Sequence, residues 1–146
     1  MKIKIGADFI ADFVPVAEKI EKAGFRFTYH NHDFEWEKFE GKRMIEFLID
    51  EFPNLLFVLD TYWVQAAGGD PAAWLAKLGG KIPVIHFKDM AWWRGQRRMA
   101  EVMEGNLNWP AIFDVCVPAG VEYAFVEQDD CNGRTRLSRL KLALTI

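Results

Sequence analysis

Four segments of the chain each carry a run of side chains able to bind metal or move protons. They are Tyr29-His30-Asn31-His32-Asp33-Phe34-Glu35, Asp60-Thr61-Tyr62-Trp63, His86-Phe87-Lys88-Asp89 and Glu127-Gln128-Asp129-Asp130. All three histidines of the sequence fall in two of these segments. Imidazole and carboxylate donors without cysteine suit manganese, magnesium, cobalt or zinc in an open site, and argue against a closed structural zinc. Each residue has an ordinary reading when taken alone. Asp60 could cap the turn after a strand, His86 could be a core histidine bonded to backbone, and Glu127 could form a surface ion pair. Four such segments in equivalent positions make the case for one site.

The equivalence comes from the elements that carry these residues. Apolar, β-rich runs at 25–29, 55–59, 82–87 and 121–126 alternate with helical patterns at about 8–23, 41–51, 71–78 and 108–119. That alternation predicts β–α units and a parallel sheet. The helix signals are specific: Gly24 stands where a C-terminal cap belongs, Asp70-Pro71 and Asn108-Trp109-Pro110 open helices, and Pro118 should shorten or kink the last one. Residues 1–5 are read as a short, charged edge strand, and residues 132–146 as an amphipathic closing helix that packs on the sheet. In parallel β/α folds ligands bind beyond the carboxyl ends of the strands, where the four polar segments fall.

The bulk properties exclude several classes. The 146 residues, 51% hydrophobic and 27% charged, are expected to form a single domain with one core, and no linker divides them. The longest apolar stretches are too short to span a bilayer, and residues 1–6 lack the apolar region of a secretory signal, so a cytoplasmic protein with no membrane partner is expected. A net charge of −3 lacks the electropositive excess of a nucleic-acid binder. The basic group Arg94, Arg97 and Arg98 reads as a solvated loop or helix face. Cys116 and Cys131 have neither zinc-ligand nor redox spacing.

Six segments in order carry a family resemblance: 29–35, 59–65, 69–71, 86–90, 104–110 and 126–129. They resemble the sugar phosphate isomerase/epimerase family of the xylose-isomerase-like TIM-barrel superfamily, whose relatives include inosose dehydratases, ketose 3-epimerases and hydroxypyruvate isomerases. The resemblance implies an α/β fold of parallel (β/α) units, here a half or truncated barrel of four to five strands matching the C-terminal half of a full one. It also implies one divalent metal held at strand ends. By position Asp60, His86 and Glu127 match three ligands. Residue type selects Glu35 as the fourth, with His30, at the strand end itself, as its rival.

The implied activity is isomerisation, epimerisation or dehydration of a sugar, cyclitol or keto-sugar through an enediolate. Glu127 is the expected proton-transfer carboxylate, paired across the substrate with the first strand end's carboxylate or imidazole, Glu35 or His30. His32 and Lys88 are expected to contact substrate hydroxyls, because a two-residue offset keeps a side chain on one face of a strand. Tyr62, Trp63, Trp92 and Trp93 are candidate walls. A chain of this length leaves a sheet edge uncovered, so self-association or a separate N-terminal half is the expected partner. A non-catalytic fragment that binds metal or a partner subunit is the alternative. Met103 and Asn108 depart from the family's glycine and aspartate at those positions.

Overall fold

The computed structural model describes residues 4–131 and 133. Helix α1 (Lys4–Lys22) leads into strand β1 (Thr28–His30), a 3-10 turn (Phe34–Trp36) and a small hairpin of β2 (Lys38–Phe39) and β3 (Lys42–Arg43). Helix α2 (Met44–Glu51), β4 (Leu56–Asp60), α3 (Thr61–Ala66), α4 (Pro71–Lys77) and β5 (Val84–Phe87) follow. A second hairpin of β6 (Asp89–Trp93) and β7 (Gln96–Ala100) precedes α5 (Trp109–Cys116) and β8 (Tyr123–Val126).

The main sheet has the order β1-β4-β5-β8, with every pairing parallel. The helices between these strands supply the return connections that parallel pairing requires, and the arrangement is that of a TIM-barrel-like sheet with flanking helices. Helices α2, α4 and α5 start where the sequence provides a cap. Asp70 Oδ1 accepts the Ala72 and Ala73 N–H groups at 2.9 and 3.3 Å, with Pro71 in the first turn. Asn108 Oδ1 accepts Ala111 N–H at 3.4 Å. Glu46 reaches back from α2 to accept Arg43 N–H at 3.0 Å. Helix α5 stops at Cys116, two residues before Pro118.

Register divides the strand residues between two faces. One face carries Phe57, Leu59 and Ile85, each no more than 1% exposed. They pack with Ile45, Val64, Leu75, Ile82 and Ile112 into the core beneath the helices. A side chain of this size buried so fully contributes about 1.5–3 kcal/mol. Phe13 of α1 closes the β1 end of this layer, its ring 4.8 Å from Phe27 and 5.8 Å from Phe52. The opposite face carries the polar strand-end residues.

Several expectations are revised. Of the edge strand expected at 1–5, Lys4 and Ile5 belong to α1 and residues 1–3 lie outside the described residues, as do residues 132 and 134–146, read as part of a closing helix. Residues 42–43 form a strand where a helix from 41 was expected. Helix α3 and both hairpins were not anticipated. Arg94, Arg97 and Arg98 sit on the β6–β7 hairpin, where β6 and β7 pair Ala91 with Arg98 and Trp92 with Arg97.

Candidate metal centre

The register explains why four separated side chains meet. His30 pairs with Val58, Asp60 with His86, and His86 with Phe125. Val58 and Asp60 are two apart, as are Phe125 and Glu127. His30, Asp60, His86 and Glu127 therefore project from one face of the sheet near the carboxyl ends of its strands. One potential ligand atom from each lies within 4.8 Å of all the others. His30 Nε2 is 3.4 Å from Asp60 Oδ2, and His86 Nδ1 is 3.0 Å from Glu127 Oε2.

Neighbouring groups fix this geometry. Asp60 is fully buried, and its Oδ1 accepts Trp63 N–H at 3.2 Å while Oδ2 faces the cluster. Asn31, 1% exposed, accepts Asp60 N–H at 3.0 Å and ties the end of β1 to the end of β4. The buried Thr61 hydroxyl donates to the Lys88 carbonyl at 2.8 Å and accepts Lys88 N–H at 2.9 Å, locking α3 to the end of β5.

Lys88 is the cation of the site. It is 1% exposed, and its Nζ lies 2.8 Å from Glu127 Oε2, 2.9 Å from Asp129 Oδ2 and 3.1 Å from Asp60 Oδ2. Burial alone would lower its pKa, but hydrogen bonds to Asp129 and Glu127 and the charge of Asp60 outweigh that and raise it. Burial likewise pushes Glu127 upward, while Lys88, followed by His86, brings its carboxyl below the usual range. The Trp63 ring lies 5.6 Å from Lys88 Nζ and 5.4 Å from the His32 ring.

The residues fit a divalent cation. His30 Nε2 is buried without a hydrogen-bond partner and is aimed at Asp60 Oδ2, which the Lys88 ammonium meets as an ion pair without a well-formed hydrogen bond. Three carboxylates, those of Asp60, Glu127 and Asp129, face the single ammonium of Lys88. The cluster therefore carries a formal excess of negative charge. Two imidazoles and two carboxylates are donors that first-row divalent metals accept.

Glu35, the expected fourth ligand, stands outside this cluster. It is fully buried; its Oε1 accepts the Tyr29 hydroxyl at 2.6 Å and its Oε2 accepts His32 N–H at 2.8 Å. Its two oxygens brace the turn that follows His30, and burial with this partner raises the Tyr29 pKa. His30 takes the position in the cluster by strand-end geometry. His32 is exposed beside it, its ring 4.8 Å from the His30 ring. Tyr62 is buried in the core, and Trp92 and Trp93 are more than half exposed on the hairpin, with the Arg98 guanidinium 4.8 Å above the Trp93 ring.

Asp89 stands in one of the four polar segments but was given no role from the sequence. This fully buried carboxylate accepts four N–H groups: Met90 at 2.7 Å, Gly105 at 2.9 Å, Leu107 at 3.3 Å and the Trp109 indole at 2.6 Å. It anchors the 104–109 loop beside the end of β5. A Cβ on Gly105 would run into Asp89 and the Met90 carbonyl, so the loop requires glycine there. The signal was the acid that follows Lys88 and a glycine in the 104–110 segment.

Comparison with known proteins agrees with this architecture. The chain superposes on a sugar phosphate isomerase/epimerase from Parabacteroides distasonis with a TM-score of 0.75 at 24% identity, covering 88% of this chain and 46% of that one. A probable 3-DHS dehydratase from Bacillus anthracis gives 0.69 at 18% identity, covering 94% and 54%. A xylose isomerase domain protein from Planctomyces limnophilus gives 0.64 at 18% identity, covering 90% and 46%. The chain thus spans about half the length of these solved structures, and the likenesses establish the fold. No curated protein matches it significantly. No helix among the described residues is long and apolar enough to cross a membrane. The model of the xylose isomerase-like TIM barrel family matches residues 7–128, and the chain belongs to that family.

Proposed function

We propose that the chain carries the metal-binding half of a sugar, cyclitol or keto-sugar isomerase, epimerase or dehydratase. The observation that carries this reading is the convergence of His30, Asp60, His86 and Glu127 at the strand ends, with the buried His30 Nε2 lacking a hydrogen-bond partner. These four residues would hold one divalent ion. Such an ion, when bound, would polarise a substrate carbonyl and its adjacent hydroxyl and stabilise an enediolate.

The chain's own residues would do the rest. Glu127 meets His86 and Lys88 through Oε2, which leaves Oε1 to remove a proton from the carbon next to the carbonyl. Its lowered pKa keeps it in the basic form at neutral pH. Return of that proton to the neighbouring carbon is isomerisation, and loss of a β-hydroxyl is dehydration. Return from the opposite face is epimerisation and needs a second proton carrier. His30, committed to the cluster through Nε2, yields that role to the exposed His32. Lys88 and the Trp63 ring stand beside the space in which substrate hydroxyls would lie.

Strand β8 supports a second element of the reading. Tyr123 and Phe125, on the same face as the cluster, are each 55% exposed, and Val126 is 48% exposed. An apolar edge strand this open favours completion of the barrel by further strands, from a second copy or another segment. Sedimentation that shows one monomeric species at every concentration would remove the second copy.

Solvent-deuterium exchange into a panel of ketoses and inososes, with Mn2+ present, tests the reaction class, because each reaction proposed begins with C–H removal. Deuterium incorporation that is lost in Glu127→Gln is expected. No exchange with any panel member, in protein shown to bind metal, counts against the catalytic reading.

A further inference from the structure

We infer that Lys88 is an internal counter-cation that holds the ligand carboxylates in the absence of metal, and that Asp129 is the carboxylate to which it withdraws when metal binds. The inference rests on the metal-centre reading and adds a step to it. Lys88 Nζ is 3.1 Å from Asp60 Oδ2 and 2.8 Å from Glu127 Oε2. These are the oxygens that face the nitrogens of His30 and His86. The ammonium and a divalent ion would therefore address the same two atoms.

Two like charges held this close in a buried site repel strongly. Lys88 cannot relieve the repulsion by moving into water, since its side chain is 1% exposed, and a buried ammonium must stay paired. Asp129 resolves the conflict. Its Oδ2 accepts a hydrogen bond from Nζ at 2.9 Å, its side chain is half exposed, and it is not a member of the four-residue cluster. The ammonium can keep Asp129 and release the other two carboxylates through a small rotation of a flexible stem. Asp60 and Glu127 are thus held near their ligand positions before metal arrives, and the cost appears as weaker metal binding.

A lysine that served only to contact substrate would leave metal binding unchanged on substitution. The test is calorimetric titration of Mn2+ into the wild type, Lys88→Met, Asp129→Asn and the double variant, with each fold checked by circular dichroism. Lys88→Met is expected to tighten Mn2+ binding by about tenfold, and Asp129→Asn to weaken it by about tenfold. In the Lys88→Met background, Asp129→Asn should change affinity by less than about twofold, because no ammonium remains to be parked. Should Lys88→Met fail to fold, Lys88→Gln, which keeps a neutral donor, takes its place in the cycle. An equal effect of Asp129→Asn in both backgrounds, or no tightening on loss of the lysine, overturns the inference while leaving the metal centre standing. No Mn2+ binding by the folded wild type overturns both.

Discussion

Asp60 Oδ1 accepts the backbone N–H of Trp63 at 3.2 Å, so one oxygen of this buried carboxylate starts helix α3 while the other faces His30 Nε2. Capping and the proposed metal binding, rival readings of an aspartate after a strand, would then be divided between two atoms of one side chain. The cap also aims Oδ2, because a carboxylate with one oxygen fixed has little freedom left for the other.

That division predicts different outcomes at one position. Asp60→Ala removes the cap and should cost at least about 1 kcal/mol of stability from that loss alone. Asp60→Asn retains an Oδ1 acceptor and should cost clearly less. Urea denaturation of the two variants checks the order. Equal losses would show that the Trp63 contact contributes nothing.

Glu35 should behave as a brace. Glu35→Ala removes the acceptor shared by the Tyr29 hydroxyl and the His32 N–H and opens a cavity at a fully buried position, a loss of about 2–4 kcal/mol. Glu35→Gln keeps much of the packing and should leave Mn2+ affinity within about threefold of wild type if the fold is retained. Abolished binding in a folded Glu35→Gln protein would return Glu35 to the ligand set.

The loop after β7 should depend on Asp89 and Gly105 together. Gly105→Ala places a methyl against Asp89 and the Met90 carbonyl and is expected to destabilise by about 1–3 kcal/mol. Asp89→Ala leaves four N–H groups without their acceptor and should cost at least as much. Hydrogen exchange reads the site of the damage: loss of protection should be greatest at the amides of Gly105 and Leu107. Uniform loss across the sheet would contradict a local anchor.

Acid stability should reflect Glu46. Its carboxyl is lowered from the ordinary 4.5 to about 2, by a hydrogen bond from Lys77 and then by the Arg43 backbone N–H. A group whose folded pKa is depressed stabilises the fold above its unfolded value, and that contribution fades as pH falls from about 4.5 to about 2. Glu46→Gln should therefore flatten the loss of stability across this window. Urea midpoints measured from pH 6 to pH 2 test it, and unchanged slopes would exclude Glu46 as a source of the acid limb.

The strand-end reading was legible in the sequence because parallel β–α alternation leaves a short apolar run before each polar segment, and register does the rest. His30, Asp60, His86 and Glu127 each follow or end such a run. Glu35 was chosen for its residue type, and the structure places it apart from the four-residue cluster: the chain turns after His30, so a carboxylate five residues on reaches the Tyr29 hydroxyl and the His32 N–H. The extent of Lys88's pairing was hidden because Asp60 reaches it from the end of β4 and Asp129 from the segment after β8. Asp89 points to a loop whose path no local pattern encodes. The hairpin at 89–100 was masked by its arginines, whose alternation with apolar residues is weak, and α3 is too short for a helical period to show.

His30, Asp60, His86 and Glu127 are proposed to hold one divalent metal ion together. Calorimetric titration of Mn2+ into the wild type and into His30→Ala, Asp60→Asn, His86→Ala and Glu127→Gln tests that claim most directly. One ion per chain in the wild type, with affinity reduced at least about tenfold in each folded variant, is the expected result. An unoccupied wild type at millimolar Mn2+, or variants that bind as well as it does, would contradict the claim.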